Sequence, residues 1–369
     1  MSGASQPNLP IVAILTIDDD KDHFRGNRSN FADLLLTAKK MGYTSYIITI
    51  KDLKLQAKRV IGYRYVADKD EWRQEWFPLP HILYNRIPQR EDEMQPAVKK
   101  KLQDIMKHPT IRMFNPTFFN KWKLYKWLNK SNATRPYIPH TLKLTNAEQL
   151  SKMLHLHSYL FLKPVSGKAG MGIMTLRLNL NNGFKYRLRI QDKSKNISYN
   201  CTSISKLWSR IIKQAGTAKY IVQQGIALAS INKRPFDLRA LIQKTEQGNW
   251  DITGVGARLA GSASITTHVP RGGSIEDPSK LLTSLFGEQG SARILARIRN
   301  TALVLARQIE QEAGKPLGEM SMDLGVDAAG GIWFFEANAK PMKFDEPDIR
   351  KRSLERVYQY STFLMKSGG

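Results

Sequence analysis

The stretch "FLKPVSGKAGMGI", Phe161–Ile173, has a lysine at the end of an apolar run and then three glycines within six residues. It is typical of a loop that holds phosphate, but it matches neither of two well-known phosphate-binding patterns. The Walker pattern needs Gly-Lys-Ser/Thr, and here Gly167-Lys168 is followed by Ala169. The Rossmann fingerprint needs G-x-G-x-x-G, whereas these glycines read G-x-x-G-x-G. The glycine spacing is therefore neither a Walker nor a Rossmann pattern, and the ligand of this loop stays open at this point.

A lysine directly before the loop supports an interaction with phosphate. Lys163 ends the apolar run, and its ammonium, together with loop N–H groups from Ser166 to Gly172, could neutralise and cradle phosphate groups. Glycines let the backbone approach a ligand and adopt positive φ. The alternative is a plain glycine-rich turn with a surface lysine, and the loop alone does not decide between the two.

Composition indicates a soluble protein of two or three domains. The chain has 369 residues, of which 41% are hydrophobic and 24% charged. No stretch approaches the roughly 18 apolar residues of a membrane span, and "MSGASQPNLP" lacks the basic and apolar regions of a signal peptide. The single cysteine, Cys201, cannot form an internal disulfide and fits a reducing compartment. We therefore expect a cytoplasmic protein without membrane partners.

The net charge is strongly positive. The chain has 57 Lys+Arg against 32 Asp+Glu, which gives a net charge of +25. Such a field attracts polyanions in general, including nucleic acid, anionic coat polymers, acidic peptides and nucleotides. The basic residues are spread through the chain without zinc-finger spacing, RNP aromatics or a basic zipper, so specific nucleic-acid binding is not the favoured interpretation.

The first part of the chain is predicted to form a small α/β domain over residues 1–114. A buried strand over Ile11–Asp18 is followed by a helix ending at Gly42 and by a strand in "TSYIITI". "RVIGYRYV" and "HILYNRI" predict further strands, and a helix is expected over Glu91–His108. Strands and helices that alternate in this way are typical of α/β domains.

Three later segments also have clear periodicity. "FNPTFFNKWKLYKWLNK" has apolar residues with helical spacing at positions 118, 119, 122, 125 and 128, and we interpret this stripe as core. A long helix is predicted near Ser291–Ala313, ending at Gly314. "SMDLGVDAAGGIWFFEAN" predicts a β-hairpin.

The hairpin carries the most informative side chains. A loop centred between Ala329 and Gly330 pairs Asp323 with Glu336, so the two carboxylates would face each other. Asn338, two residues beyond Glu336, shares its face. Two carboxylates and a carboxamide suit a hard cation such as Mg²⁺. The alternative is an exposed face with two solvated acids, and a one-residue slip in register would turn one acid away.

Arginines occur in the segments before the hairpin. "FDLRALIQK" places Asp237 and Arg239 on one strand face, and "GARLAG" adds Arg258. Arginine suits carboxylate and phosphate oxygens because its donors form a planar fork. Taken separately, each of these arginines is more often part of a surface ion pair. "THVPRGG" adds His268, which taken alone is more often structural, and Arg271 before a Gly-Gly pair.

The order of these segments resembles that of the ATP-grasp superfamily. A helix lysine, a strand Lys-Pro with a glycine loop, "IVQQGI", "DLR", "AR", "RGG" and Asp…Glu-x-Asn follow one another over Asn115–Lys343. "LYNRIPQR", "FNPTFFNKWKLYKWL" and "EANAKPMKF" more closely resemble the YheC/YheD family, described as endospore coat-associated proteins. The resemblance implies two α+β lobes that clamp ATP, over residues 115–222 and 223–369, after an α/β domain over 1–114.

The resemblance also implies an ATP site. Lys121 and Lys163 would hold phosphates beneath the glycine loop, while the backbone around Gln224 would contact adenine, at a position where many relatives have Glu. The implied ATP-binding set is Lys121, Lys163, Ser166, Gly167, Gly170, Gly172, Gln223, Gln224 and Ile226.

Metal, catalytic and substrate-binding residues are implied in the same way. The Mg²⁺ ligands would be Asp323, Glu336 and Asn338, in agreement with the independent hairpin argument. Arg239 and Arg258 would stabilise the transferring phosphoryl group. The implied substrate-binding set is His268, Arg271, Gly272 and Gly273. Several peptide-ligating relatives have Asn at the His268 position, so its role stays open.

The superfamily's usual reaction predicts an ADP-forming carboxylate–amine ligase that acts through an acyl phosphate. Its substrates would be small-molecule or peptide carboxylates and amines; the expectation of an acidic substrate rests on net charge alone. The resemblance adds spore coat components as partners and a spore-associated location. The alternatives are an ATP-grasp kinase, a non-catalytic coat protein that retains the fold, and a protein that binds polyanions through its charge.

Overall fold

The computed structural model describes residues 9–165, 171–178, 183–191, 196–261 and 273–367. Among these residues, three separate β-sheets lie in successive parts of the chain. Within the same ranges, no helix is long and apolar enough to cross a membrane.

The first sheet has a parallel centre. Its strands are β1 (Val12–Asp19), β2 (His23–Arg25), β3 (Ser45–Thr49), β4 (Arg59–Val66), β5 (Glu71–Pro78), β6 (Ile82–Asn85) and β7 (Arg112–Phe114). Its helices are α1 (Arg28–Lys40), α2 (Arg90–Met94) and α3 (Pro96–Met106). Strands β3, β1, β6 and β7 run parallel, which buries both faces of β1 and explains its continuous apolar run. The α/β architecture expected here is confirmed.

The single helix expected over Glu91–His108 is two helices. Pro96 begins α3, and Gln95 between the helices has the extended ψ of 133°. Proline disfavours helical geometry in the residue before it and has no N–H for a continuous helix. The apolar spacing continues from one helix into the next, so this spacing alone does not reveal the break between them.

The described strand pairs of the second sheet are all antiparallel. It contains β8 (Thr141–Lys143), β9 (Tyr159–Pro164), β10 (Met174–Leu178), β11 (Tyr186–Gln191), β12 (Asn196–Cys201) and β13 (Tyr220–Gln224), in the order β12-β11-β10-β9-β13-β8. Helices α5 (Ala147–Leu156) and α6 (Ile204–Ala215) accompany it, whereas α4 (Lys121–Lys130) packs Leu124 and Leu128 into the core of the third sheet. One face packs its alternate apolar residues against α5 and α6. The opposite face carries the side chains of Lys163 and Gln223.

The apolar stripe expected along α4 is only partly core. Asn120 caps the helix, and its buried residues are Leu124 and Leu128. Trp122 and Tyr125 are half-buried instead and stack on each other with ring centroids 5.3 Å apart. The helix starts at Lys121, so the aromatic residues before it do not continue the helical spacing.

The third sheet contains the predicted hairpin. Its strands are β14 (Ser230–Ile231), β15 (Arg234–Lys244), β16 (Trp250–Leu259), β17 (Ser274–Glu276), β18 (Glu319–Val326) and β19 (Ile332–Asn338). Helix α7 (Pro278–Ala313) covers its apolar face and is followed by α8 (Pro347–Lys366). Helix α7 is longer than predicted and is interrupted at Gly287, where φ is 68°. It ends at Gly314 with φ of 58°, as predicted.

Helix α8 connects the first and third sheets. Val357 and Tyr358 are buried in the core of the first sheet, while Arg356 forms an ion pair with Asp251 of β16. Asn115, at the end of β7, lies at the same junction: its Oδ1 accepts from Gly318 N at 2.7 Å, and its Nδ2 donates to the backbone of the third-sheet segment. These contacts position β18 and β19. The division at residues 114 and 222 remains a proposal, since α8 contacts both sheets.

Candidate active site

A β-bulge brings the two predicted carboxylates opposite each other. Near the turn, Val326 pairs with Ile332, one residue away from the predicted register. The register shifts after Leu324, and beyond this point Asp323 pairs with Glu336, as the sequence predicted. The pairing of Asp323 with Glu336 was predicted correctly, although the loop is centred on Ala329 and not between Ala329 and Gly330.

The bulge also places consecutive residues of β19 on the same side. Phe334 and Ala337 are buried against the core, whereas Phe335 and Glu336 between them are half-exposed. Regular alternation would have turned one of these two residues inward. Asn338 pairs with Ser321, which lies two residues before Asp323 on the same face. The oxygens of Asp323, Glu336 and Asn338 are therefore on one side of the hairpin.

Two lysines from other elements reach this side. Lys121, the first residue of α4, forms an ion pair with Glu336. Lys163 on β9 donates to Gln223 Oε1 at 2.6 Å, and its ammonium lies 5.5 Å from the ring centre of Phe335. A cleft forms here, lined by Lys121, Leu124, Tyr125, Ile138, Lys163, Ile221, Gln223, Phe334, Phe335 and Glu336. The predicted phosphate lysines and one predicted metal ligand thus meet in one cleft.

The surroundings of Lys163 change the pKa of its ammonium group. Burial, followed by the positive charge of Lys121, lowers the pKa of Lys163 to about 8, although Glu336 and Asp323 act in the opposite direction. An anion bound beside Lys163 would favour its charged form. This environment suits a lysine that holds a polyanionic ligand.

The predicted arginines flank Asp323. Arg258 donates from Nε and Nη2 to the two oxygens of Asp237, each at 2.9 Å, and its Nη2 lies 2.8 Å from Asp323 Oδ2. Burial opposes the charged form, but the carboxylates of Asp323 and Asp237 outweigh it and raise the pKa of Arg258. Arg239 is the cross-strand partner of Asp323, and its guanidinium carbon lies 4.9 Å from the ring centre of Phe344. Both arginines are therefore fixed beside a proposed metal ligand.

The segment expected to contact adenine is held mainly through its backbone. Gln224 N donates to His140 O at 2.8 Å, and Gln224 Oε1 accepts from His140 N at 3.2 Å. Gly225 N donates to Tyr159 O at 2.8 Å, and Ile226 follows it in a half-buried position. The side chain of Gln224 is thus bonded to the protein backbone. The side-chain oxygen of Gln224 and the N–H groups of Gln224 and Gly225 are therefore already bonded within the protein.

Several predicted site residues lie outside the described part of the chain. These are Ser166, Gly167, Gly170, His268, Arg271 and Gly272. Gly273 lies within the described part of the chain and directly precedes β17. Gly172 has φ of 72°, and its carbonyl accepts from Tyr220 Oη at 2.9 Å. Tyr125 and Phe335 line the cleft but were missed, because their spacing is equally typical of core residues.

Gly172 offers a direct test of the geometry of the loop end. A Cβ at Gly172 would lie 2.9 Å from Tyr220 Oη, whereas at Gly183, where φ is 67°, it would meet nothing within 4 Å. We expect Gly172→Ala to lower the melting temperature more than Gly183→Ala, because both pay about 1–2 kcal/mol for positive φ but only the first adds a clash. Thermal unfolding followed by circular dichroism measures the difference. Equal losses would contradict the Tyr220 contact.

The donor set fits Mg²⁺. Two carboxylates and a carboxamide are hard oxygen ligands, and Mg²⁺ is usually held by one or two carboxylates together with substrate phosphates. Within the described ranges, no group of three or more His, Cys, Asp or Glu side chains is arranged to hold a metal ion. The proposed site combines the carboxylates of Asp323 and Glu336 with the amide oxygen of Asn338, and asparagine is not among those four residue types. Asp323 and Glu336 already contact Arg258 and Lys121, so bound phosphates would share these cations with the carboxylates.

A strand lysine before a glycine-rich segment, a second lysine on a helix and an acidic hairpin in the third sheet are the features of an ATP-grasp protein. A family model for "YheC/D like ATP-grasp" proteins matches residues 110–364. The chain belongs to this family.

Curated relatives and solved structures agree with the assignment. The chain is 23% identical to the endospore coat-associated protein YheD of Bacillus subtilis, over 92% of this chain and 75% of the relative. It is also 23% identical to YheC of the same organism, over 89% and 88%. Its fold is similar to that of the VanG D-Ala:D-Ser ligase from Enterococcus faecalis, with a TM-score of 0.55, 14% identity and coverage of 96% and 99%. It is also similar to the ATP-grasp ligase PsnB complexed with minimal precursor, Mg and ADP, with a TM-score of 0.51, 11% identity and coverage of 95% and 98%.

Proposed function

We propose that this protein is an ATP-dependent carboxylate–amine ligase that forms ADP through an acyl-phosphate intermediate. The observation that carries the proposal is the meeting of Lys121 and Lys163 with Glu336 in one cleft. Asp323 pairs with Glu336 across the hairpin and contacts Arg258. The names of the similar structures, which include a D-Ala:D-Ser ligase and PsnB, are consistent with this reaction class.

The chain's own residues have simple tasks in such a reaction. Lys121 and Lys163 would bind and orient the ATP phosphates, and Asp323, Glu336 and Asn338 would hold Mg²⁺. When bound, Mg²⁺ would supply positive charge that screens the phosphate oxygens. The guanidinium groups of Arg239 and Arg258 would stabilise charge on the phosphoryl group as the substrate carboxylate attacks it. Little covalent chemistry is required of the protein itself.

The proposed reaction has two steps, and each forms one bond and breaks another. A carboxylate oxygen forms a bond to the γ-phosphorus of ATP, and the bond to the ADP oxygen breaks. The amine then attacks the acyl carbon and loses a proton, and inorganic phosphate leaves. The product is an amide, lighter by one water than its two substrates. We propose an acidic peptide or amino acid as the carboxylate substrate and, from the names of YheD and YheC, a role in spore coat formation.

Product analysis tests the proposal. ADP and phosphate release from Mg²⁺-ATP would be measured while amino acids and acidic peptides are screened in pools, with mass spectrometry of the products. We expect stimulated ADP release together with a product lighter by one water than its substrates. A phosphorylated product without an amide would instead establish a kinase. The absence of both stimulation and an ATP-dependent thermal shift would support a non-catalytic coat protein.

A further inference from the structure

One face of the second sheet carries three arginines in neighbouring positions. In the antiparallel register of β9 to β11, Tyr159 pairs with Arg177, and Arg177 pairs with Arg187. Arg189 lies two residues beyond Arg187 and therefore on the same face. We call Arg177, Arg187, Arg189 and the Tyr159 ring the arginine face. Lys163 belongs to the same face of the sheet, since it lies four residues beyond Tyr159 on β9.

Packing does not account for this face. Leu160, Leu176 and Leu188 point to the opposite side, where they are fully buried. Phe161 is half-buried and lies on the same face as the arginines, between Tyr159 and Lys163 on β9. Arg177 and Arg187 are exposed and directly opposed, an arrangement in which like charges destabilise a sheet. Within the described part of the chain, the ion pairs do not include any of the three arginines. The face therefore concentrates positive charge at a cost in stability.

Aromatic contact orients part of the face. The guanidinium carbon of Arg177 lies 3.8 Å from the ring centre of Tyr159. A Cβ at Gly225 would lie 2.3 Å from the Tyr159 ring, so this ring packs closely against the backbone of Gly225. The Nε of Arg189 is buried, and no described residue accepts its hydrogen bond. A stacked guanidinium keeps its planar fork available for an oxyanion.

We propose that the arginine face binds an acidic peptide and leads it toward Lys163. This proposal rests on the proposed function, because it names the substrate class of the same cleft. Arg187 and Arg189 are separated by roughly 6.4–6.8 Å along their strand, the same spacing as alternate side chains of an extended peptide. Carboxylates on one side of such a peptide can therefore pair with successive arginines in a bidentate manner.

Charge complementarity and position favour a peptide over a nucleic acid. Guanidinium groups bind carboxylates and phosphates alike, so their chemistry alone does not choose between the two. The arginine face, however, shares its side of the sheet with Lys163, which contributes to the cleft where the proposed reaction needs a carboxylate. A peptide lying along the arginine face would bring its own carboxylates to that cleft.

The test compares two variants that remove equal charge from different surfaces. One combines Arg177→Gln, Arg187→Gln and Arg189→Gln. The matched control combines Lys99→Gln, Lys100→Gln and Lys107→Gln, at exposed positions on or directly after α3. Fluorescence anisotropy would measure binding of a labelled oligoglutamate peptide at fixed low salt. We expect the arginine variant to bind at least about tenfold more weakly than wild type and the control to bind within about twofold.

Three outcomes would overturn the proposal. Equal weakening in both variants would mean that only net charge attracts the peptide. Unchanged affinity in the arginine variant would place binding elsewhere. An oligothymidine of equal charge that binds more tightly than oligoglutamate, and loses its affinity in the arginine variant, would make this a nucleic-acid surface. If the triple variant does not fold, Arg187→Gln alone replaces it, because that side chain is exposed and a smaller loss is then expected.

A parallel measurement separates this proposal from the proposed function. The Mg²⁺-ATP-dependent rise in melting temperature would be measured for wild type and for the arginine variant. We expect the rise to be the same in both, since these arginines lie outside the assigned phosphate and metal residues. Peptide binding that needs the arginine face, in a protein that shows no response to Mg²⁺-ATP, would support this proposal and contradict the proposed ligase.

Discussion

Glu336→Gln is expected to reduce ADP release from Mg²⁺-ATP by at least about 100-fold, as the loss of one preorganised charged group at a transition state commonly does. Glutamine keeps the size of the side chain but removes the charge that faces Asp323 and pairs with Lys121. The proposed metal site would lose one of its two carboxylates, and Lys121 would lose its carboxylate partner. ADP release would be measured in a coupled assay over a range of Mg²⁺ concentrations.

A second readout makes this prediction independent of the unknown acceptor. Ligand binding raises the melting temperature in proportion to the logarithm of ligand concentration over its dissociation constant. We expect the additional shift that Mg²⁺ gives to ATP to disappear in Glu336→Gln. The control is Glu312→Gln, whose carboxylate pairs with Lys130 at the surface, and it should behave as wild type. Retention of the Mg²⁺-dependent shift in Glu336→Gln would remove this residue from the proposed ligand set.

Local patterns were sufficient to predict the hairpin and its two acids. The apolar run before Glu336 and the Ala-Gly-Gly turn indicate two paired strands, and the opposition of Asp323 and Glu336 is confirmed. The way in which this pairing arises was not predicted. The register near the turn differs by one residue from the predicted register, and the bulge restores the predicted pairing at Asp323 and Glu336. A bulge depends on how β19 fits its neighbours across the sheet, and that information is not in the alternation of one strand.

Contacts between distant segments could be named only through resemblance. The ion pair between Lys121 and Glu336 joins residues 215 positions apart, and no spacing rule reaches that far. The packing of α8 on the first sheet was also not predicted, since its apolar residues indicate only that some surface covers them. The break within the predicted Glu91–His108 helix is marked locally by Pro96, which begins α3. Periodicity predicts which faces are buried and leaves their partners open.

Arg258→Met is expected to destabilise the protein by about 3–5 kcal/mol, the usual cost of removing one partner from a buried ion pair. The Arg258 side chain is 10% exposed, and its carboxylate partners Asp237 and Asp323 are 7% and 11% exposed. Methionine would leave two buried carboxylates without the guanidinium that holds them. Urea unfolding followed by circular dichroism measures the change. Arg64→Met, which breaks an exposed pair with Glu75, is the control and should hardly move the midpoint.

The combination of Arg258→Met with Asp237→Asn distinguishes a structural from a catalytic role. Asp237→Asn removes the carboxylate that Arg258 binds through two hydrogen bonds, while Arg239 remains as the cross-strand partner of Asp323. We expect the double variant to regain most of the lost stability, because replacing both members of a buried pair is often nearly neutral. ADP release should nevertheless stay low, since the guanidinium beside the phosphoryl group is not restored. Recovery of both stability and ADP release would show that Arg258 only neutralises its aspartates, and stabilisation of the transferring phosphoryl group would then fall to Arg239 alone.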